Sequence, residues 1–276
     1  MNLLGIDFEE WYHPELIKKN ISTEKKYEPS VINGIDKILD WLRKNETNAT
    51  FFVVGELLEI MPELLDKIIE NDHEISFHTM HHTRLGDIKT HEFSNEINEF
   101  SRLTEKKSKG FRAPTFSLDT STSWAIDVLE ENDYLYDSSV VPAKSGLYGI
   151  PNAEEKPYKI SSKSLEKNNE NGKIHEFPIL TTRFLGKKIP AGGGFYLRTL
   201  PMKIIKNAIK NNEKNQIPST FYIHSWELTP EFMPRLEIPT KDKFITYHNL
   251  ERALPKMTEL LQEFNFTSFR EFSKRF

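Results

Sequence analysis

Residues 76–82 read Ser76-Phe77-His78-Thr79-Met80-His81-His82. The apolar residues before the histidines predict a buried strand that ends at His78. His78 and His82 lie four positions apart, so a helical turn of the chain would direct both imidazoles at one metal ion. Histidine pairs at this spacing also occur by chance. The stretch therefore predicts a strand with a metal site at its carboxyl end, provided that the chain supplies a third ligand.

An acidic segment near the N-terminus supplies that ligand. The sequence Asp7-Phe8-Glu9-Glu10 closes an apolar run, and two imidazoles that hold a catalytic metal are typically joined by a carboxylate. Asp7 needs a partner or a metal, because an unpaired carboxylate in an apolar strand is costly. Arg112 is a candidate partner that would keep Asp7 ionised. The chain has no cysteine, so a metal ion must be held by His, Asp or Glu.

Strand and helix patterns alternate along most of the chain. This alternation predicts an α/β fold with a parallel sheet, closed into a barrel, and an open doubly wound sheet is the alternative. Residues 144–194 break the rhythm and predict a hairpin-rich insertion. The predicted strands are 3–8, 49–54, 74–78, 110–112, 135–138, 219–224 and 266–269, and the predicted helices are 31–44, 62–71, 92–105, 121–131, 201–211 and 250–263.

Composition narrows the class of protein. The net charge is -4, from 37 basic and 41 acidic residues without a long basic block, which argues against nucleic-acid binding. Residues 1–276 are interpreted as one domain, and homo-oligomer formation stays open. No run is long enough to cross a bilayer and no signal peptide is evident, so a cytoplasmic protein is expected. Gly192-Gly193-Gly194 lacks the spacing of a dinucleotide-binding loop.

Two further polar residues follow predicted strands. Parallel strands of a barrel end on one face, so His224 and Asp137 should approach the residues already named. A histidine can protonate a leaving group, because it titrates near neutral pH, although a lone histidine at a strand end is more often a core residue. Asp137 either tunes such a histidine or caps a turn.

With these residues in order, the chain resembles the polysaccharide deacetylase family, the carbohydrate esterases that share the NodB homology domain. It is most similar to the branch associated with exopolysaccharide synthesis. The matching motifs are Ile6-Asp7-Phe8-Glu9-Glu10-Trp11, His78-Thr79-Met80-His81-His82, Arg112-Ala113-Pro114, Ile223-His224, Tyr136-Asp137-Ser138-Ser139, Gly192 to Arg198, and Ser225-Trp226-Glu227-Leu228.

The resemblance implies a distorted (β/α)7 barrel and metal-dependent removal of N- or O-acetyl groups from sugars. A divalent ion, Zn2+ or else Co2+ or Ni2+, would be held by Glu9, His78 and His82. Asp7, held by Arg112, would act as base and His224 as acid. Glu9 stands where relatives carry aspartate, with an extra residue between the acids, so Glu10 is the alternative ligand.

The expected substrate is an N-acetylated amino sugar in an oligomer, a polymer or a precursor. Candidate residues for sugar contact are Trp11, Pro114, Tyr196 and Trp226, with Tyr12, Phe116 and Phe195 as further aromatic candidates for ring stacking. Three rival interpretations stay open: an oxygen-activating iron site, an amidase for a non-sugar amide, and an inactive sugar-binding module.

Overall fold

The computed structural model describes residues 1–22 and 25–274. Eleven β-strands form within these residues, and most of the strands in the first half of the chain coincide with apolar runs of the sequence. They are β1 Asn2–Phe8, β2 Thr50–Val53, β3 Glu74–Phe77, β4 Gly110–Phe111, β5 Tyr136–Asp137, β6 Tyr158–Ile160, β7 Ile174–Glu176, β8 Thr181–Phe184, β9 Lys187–Pro190, β10 Thr220–His224 and β11 Phe266–Thr267.

One curled sheet forms the centre of the fold, in the order β10-β1-β2-β3-β4-β5-β7-β6, and β11 also pairs with β1. The strands from β10 to β7 run parallel, and β6 is antiparallel at the edge. Beyond β7, a backbone bridge joins Ile179 to Thr220 of β10, so the two ends of the parallel sheet meet. The predicted α/β fold with a distorted parallel barrel is confirmed.

Helices cover the outside of this sheet because they are amphipathic. In α2, for example, Ile35, Ile38, Leu39 and Leu42 are buried on one face. The helices are α1 Glu15–Lys18, α2 Ile35–Lys44, α3 Glu56–Ile60, α4 Leu64–Glu70, α5 Thr90–Leu103, α6 Trp124–Glu131, α7 Gly194–Thr199, α8 Met202–Lys214, α9 Ser225–Leu228, α10 Thr240–Tyr247, α11 Ala253–Glu263 and α12 Phe269–Ser273. Short 3-10 turns lie at Val31–Gly34, Leu85–Asp87, Pro114–Phe116, Pro230–Phe232 and Leu250–Arg252.

The segment predicted as an insertion is divided between two roles. β7 lies inside residues 144–194, but it pairs in parallel with β5 and so belongs to the main sheet. Only β8 and β9 form a separate two-stranded hairpin. Among the described residues, no helix is long and apolar enough to cross a membrane.

The central strands are buried on both faces, as expected for a parallel sheet covered by helices. All seven residues of β1 are buried, Asp7 among them. The register places Asp7 beside His224 of β10 and beside Phe52 of β2. Side chains that follow these strands therefore meet at one end of the sheet.

Candidate active site

Three buried side chains bring potential metal ligands together at this end of the sheet. Ligand atoms of Glu9, His78 and His82 all lie within 4.8 Å of one another. Oε2 of Glu9 and Nε2 of His82 are 2.7 Å apart. Among the described residues, however, no hydrogen-bond donor reaches Oε2 of Glu9 with acceptable geometry. A buried carboxylate oxygen without a donor, facing two imidazoles, fits a divalent cation.

The orientation of His78 favours the same role. Its Nδ1 donates to the backbone carbonyl of Arg112 at 2.7 Å, because a carbonyl oxygen can only accept. Nε2 then carries the free lone pair that a metal requires. Burial lowers the pKa of His78 to about 4, so the ring is neutral at physiological pH. The contact fixes both the tautomer and the ring direction.

A loop, and not the helical turn expected from the spacing, brings His78 and His82 together. Thr79 and His82 have left-handed backbone angles, with φ of 57° and 50°. The carbonyls of Thr79 and Met80 accept the backbone amides of Gly55 and Glu56, each at 2.9 Å. Bonds to the neighbouring segment therefore hold a conformation that costs strain in isolation.

Opposing effects act on the carboxyl group of Glu9. Burial raises its pKa, but the charge of His82, followed by the charge of His224, outweighs burial and holds the pKa well below its usual range. Trp226 also donates its indole N–H to Oε1 of Glu9 at 2.8 Å. Glu9 is therefore an anion with one oxygen tied to Trp226 and the other directed at the histidines.

Glu10 has a different environment, which separates the two candidate ligands. Its oxygens accept the backbone amides of Ser30, Val31 and Ile32 at 3.0, 3.1 and 2.6 Å. These amides lie at the start of a 3-10 turn, where backbone donors have no partner within the turn. Glu10 caps this segment, and the geometry favours Glu9 as the ligand.

The predicted contact between Asp7 and Arg112 is present. Nη1 of Arg112 donates to Oδ1 of Asp7 at 2.5 Å, and both side chains are buried. Arg112 also donates from Nε and Nη2 to the carbonyl and hydroxyl of Ser138, each at 2.9 Å. Its guanidinium stacks 4.0 Å from the ring centre of Phe52. These contacts fix the guanidinium of Arg112. The guanidinium in turn fixes the carboxylate of Asp7 by binding one of its oxygens.

His224 is held by a carboxylate that sequence reasoning did not select. Its Nδ1 lies 2.6 Å from Oε2 of Glu227, and Oε1 of Glu227 lies 2.7 Å from Nε of Arg198. Burial lowers the pKa of His224, but Glu227 outweighs this effect and the net pKa rises to about 9. About 21% of the His224 side chain is exposed, and the residue faces the pocket. The arrangement suits an imidazolium that donates a proton from Nε2.

The glycine run places Arg198 in this arrangement. Gly193 has φ of 143°, and a side-chain carbon there would lie 1.9 Å from the carbonyl oxygen of Tyr222. The chain can therefore pass against β10 only without a side chain at this position. Helix α7 starts directly afterwards and carries Phe195 and Arg198 to the pocket wall.

Asp137 does not contact the predicted histidine. Its oxygens accept from the hydroxyl of Ser139 at 2.6 Å and the amide of Ser139 at 3.1 Å. Burial raises the pKa of Asp137 and of its neighbour Glu176. Asp137 is also absent from the residues that line the pocket. These contacts favour the turn-capping interpretation over the tuning of His224.

The pocket has a volume of about 150 Å³ and contains Asp7, Glu9, His78, His82 and His224. Only some of the candidate residues for sugar contact line this pocket. Trp226, Phe116 and Phe195 line it, whereas Trp11, Tyr12, Pro114 and Tyr196 do not. Trp11 instead donates to the carbonyl of Glu28 and packs on Tyr27. Sugar contact by the second group stays a prediction without support from the lining.

Sequence reasoning also passed over His13, which lies beside the ligands. Its Nδ1 accepts the amide of Glu10 at 3.0 Å, and its Nε2 therefore donates to Glu56 at 2.9 Å. The ring stacks on that of His82 with centroids 5.7 Å apart. No spacing in the sequence links His13 to residues 78–82. Glu227 had two signals, its place three residues after His224 and its place in the motif Ser225-Trp226-Glu227-Leu228.

The chain is similar to known families and relatives over much of its length. The family described as polysaccharide deacetylase matches residues 30–134, and a domain of unknown function, DUF3473, matches residues 138–274. A chitooligosaccharide deacetylase of Rhizobium leguminosarum bv. phaseoli is 37% identical over 75 residues, 27% of this chain and 33% of the relative. A peptidoglycan-N-acetylglucosamine deacetylase of Bacillus cereus is 32% identical over 96 residues, 33% of this chain and 35% of the relative. The matches thus span about a third of each relative.

Solved structures extend the similarity to the whole fold. A candidate polysaccharide deacetylase from Mycobacterium smegmatis superposes with a TM-score of 0.59 and 13% identity, over 99% of this chain and 90% of that chain. A 4-alpha-glucanotransferase from Thermococcus litoralis gives a TM-score of 0.54 and 15% identity, over 100% of this chain and 41% of that chain. At this identity the likeness concerns the fold alone.

Proposed function

Because residues 30–134 match the polysaccharide deacetylase family, we propose that the chain is a metal-dependent deacetylase that hydrolyses the acetamido group of an N-acetylated amino sugar. One observation carries the proposal. The ligand atoms of Glu9, His78 and His82 converge in the same pocket as Asp7 and His224. A cation site, a carboxylate held by Arg112 and a histidine held by Glu227 together supply what amide hydrolysis requires.

Glu9, His78 and His82 would hold the divalent ion. When bound, the ion acts as a Lewis acid that polarises the acetyl carbonyl and makes water more acidic. Two nitrogen donors and one carboxylate favour Zn2+, and Co2+ or Ni2+ suit the same donors. Nδ1 of His78 remains on the carbonyl of Arg112 throughout, which keeps its ring in the ligand orientation.

Asp7 is the proposed base. Arg112 occupies one of its oxygens and fixes the carboxylate at the pocket wall. The other oxygen takes a proton from the water that attacks the acetyl carbon. The buried guanidinium fixes the direction of the Asp7 carboxylate before the proton is taken. Arg112 acts through Asp7 as a positioning residue.

His224 is the proposed acid. Glu227 holds Nδ1 and favours the imidazolium, so that Nε2 carries the proton facing the pocket. As the bond between the acetyl carbon and nitrogen breaks, Nε2 gives this proton to the nitrogen. The products are acetate and the free amine of the sugar. Trp226 stacks on the His224 ring with centroids 4.7 Å apart, which limits rotation of the imidazole.

The sugar is proposed to be of the glucosamine type, presented in an oligosaccharide, a polymer or a precursor. The relatives named above act on chitooligosaccharide and on peptidoglycan N-acetylglucosamine. The motifs shared with the exopolysaccharide branch, including the glycine run that carries Arg198 to Glu227, favour an oligomer or a precursor of such a polysaccharide.

The experiment is a measurement of acetate release by metal-replete protein. Substrates are N-acetylglucosamine oligomers, an O-acetylated sugar and a non-sugar acetamide. We expect acetate release from the N-acetylated sugar. The variant Asp7→Asn should release acetate at least about a hundredfold more slowly than the wild type. Asp66→Asn, an exposed aspartate on α4, is the matched control and should behave like the wild type. Release from the non-sugar amide alone would make the protein an amidase, and sugar binding without release would make it a binding module.

A further inference from the structure

A second cavity adjoins the candidate active site. The pocket with the metal ligands measures about 150 Å³, below the roughly 300–1,000 Å³ typical of small-molecule sites. The neighbouring cavity measures about 420 Å³ and shares the walls formed by Phe116, Leu147 and Tyr148. The first pocket alone is too small for a saccharide. The second cavity has room for the sugar unit that adjoins the acetylated sugar unit in the substrate.

Two cations line this second cavity, Arg84 and Lys144. Neither side chain has a hydrogen bond or ion pair with any residue in the described ranges 1–22 and 25–274. Nε of Arg84 is moreover buried without an acceptor. A buried guanidinium donor without a partner costs free energy unless a ligand satisfies it. Arg112, by contrast, is paired with Asp7.

The acidic group at the cavity forms no ion pair with these cations among the described residues. Asp119 is the carboxylate on its lining. Oδ1 of Asp119 accepts from the amide and hydroxyl of Ser121 at 2.7 and 2.6 Å. This oxygen of Asp119 is therefore bound within its own turn, to Ser121. Two cations against one carboxylate leave the cavity positive.

The wall that carries Arg84 is fixed relative to the metal ligands. Arg84 follows His82 by two residues, and the amide of Thr83 donates to Oγ1 of Thr79 at 2.9 Å. The amide of Leu85 donates to Oγ of Ser117 at 3.0 Å, which ties the segment of Arg84 to another residue of the cavity lining. An anion bound by Arg84 would thus have a set position relative to the bond that is cut.

We propose that this cavity binds an anionic group, a carboxylate or a phosphate, on the saccharide whose acetylated residue enters the metal pocket. The inference rests on the proposed function and deepens it, because it assigns the substrate to the acidic saccharides. The planar guanidinium of Arg84 offers paired donors to either anion, and Lys144 adds a mobile second charge.

The test is a titration of metal-replete protein with three acetylated saccharides: a neutral N-acetylglucosamine oligomer, an oligomer that contains a uronic acid, and a sugar phosphate. The double variant Arg84→Gln, Lys144→Gln should weaken binding of an acidic ligand at least tenfold and leave the neutral one unchanged. The wild-type affinity for that ligand should fall with salt. The double variant Lys44→Gln, Lys241→Gln removes two exposed cations elsewhere and is the control.

Tighter binding of the uronic acid oligomer identifies the anion as a carboxylate, and tighter binding of the sugar phosphate identifies it as a phosphate. Equal affinity of the wild type for neutral and acidic ligands, or an equal loss for both in the variant, would overturn the inference. Charge-dependent binding without acetate release from any ligand would contradict the deacetylase function and leave anion binding in place.

Discussion

Nδ1 of His224 lies 2.6 Å from Oε2 of Glu227, three residues further along the chain. The contact spans the end of β10 and the first turn of α9, so the strand carries the proposed acid and the helix carries its carboxylate. Arg198 holds the other oxygen of Glu227. The carboxylate is thus fixed from two sides.

This contact predicts the effect of Glu227→Gln. Glutamine keeps the size but loses the charge that raises the pKa of His224 to about 9. The acid must be protonated, so the alkaline limb of the pH-rate profile should move to lower pH. Turnover should fall at least tenfold at pH 8, and less at pH 6. Glu231→Gln, a half-exposed glutamate paired with Lys37, is the control. An unmoved alkaline limb would exclude the role of Glu227.

A second prediction concerns Gly5 of β1, which lies against the side chain of Arg112. A side-chain carbon at this position would lie 2.6 Å from Nη1 of Arg112 and 2.8 Å from the ring of Phe52. Gly5→Ala should displace the guanidinium and with it Asp7, lowering turnover about a hundredfold while metal content stays normal. In Gly86→Ala the added carbon meets no atom within 4 Å, so turnover should be unchanged. Normal turnover in Gly5→Ala would show that Arg112 does not position the base.

The two adjacent glutamates should have opposite phenotypes. Glu9→Ala should weaken metal binding and leave the unfolding transition of the metal-free protein nearly unchanged. Glu10→Ala should keep the metal but lower the free energy of unfolding by ~1–3 kcal/mol, because buried backbone amides lose their acceptor. Calorimetric metal titration and denaturant unfolding measure the two effects. The reverse pattern would make Glu10 the ligand.

The buried pair of Asp137 and Glu176 predicts a pH dependence of stability. Burial raises the pKa of both groups above their values in the unfolded chain. The folded state therefore holds more protons, and the stability from this pair is present at low pH and lost as pH rises through the folded pKa. Glu176→Gln removes one of the charges that must be buried, and it should be more stable than the wild type at pH 9 by ~1–3 kcal/mol.

Denaturant unfolding at pH 5 and pH 9 compares the two proteins. The advantage of Glu176→Gln should be smaller at pH 5. Since Asp137 and Glu176 lie outside the pocket lining, turnover should change little. An advantage that is equal at both pH values would show that the pair does not titrate between them.

Much of the fold could be predicted from the sequence, because buried parallel strands appear in a sequence as apolar runs. β1, β2 and β3 are buried on both faces, so most of their residues are apolar, although β3 also buries Glu74 and Ser76. Polar residues at those ends must then meet, which is why Asp7 and His78 were predicted to share a site. The short helices α7, α9 and α10 were not predicted, since one or two turns carry too little periodicity.

The partners of the site residues were harder to predict than the residues themselves. Glu227 reaches His224 through one helical turn, and Arg198 reaches Glu227 only because Gly193 lets the chain pass against β10. Asp137 instead bonds to Ser139, two residues away. Such choices depend on side-chain distances that spacing in a sequence does not give. The sequence had also suggested a helical turn for residues 78–82, where bonds to Gly55 and Glu56 hold a loop.

The most direct test of the account is to remove the metal with a chelator, return Zn2+ in steps, and measure acetate release from an N-acetylglucosamine oligomer. We predict that the metal-free protein is inactive and that release rises until about one ion is bound per chain. The variant His78→Ala, His82→Ala should neither bind the ion nor recover. Acetate release that is undiminished in the metal-free protein, or in this variant, would contradict the account.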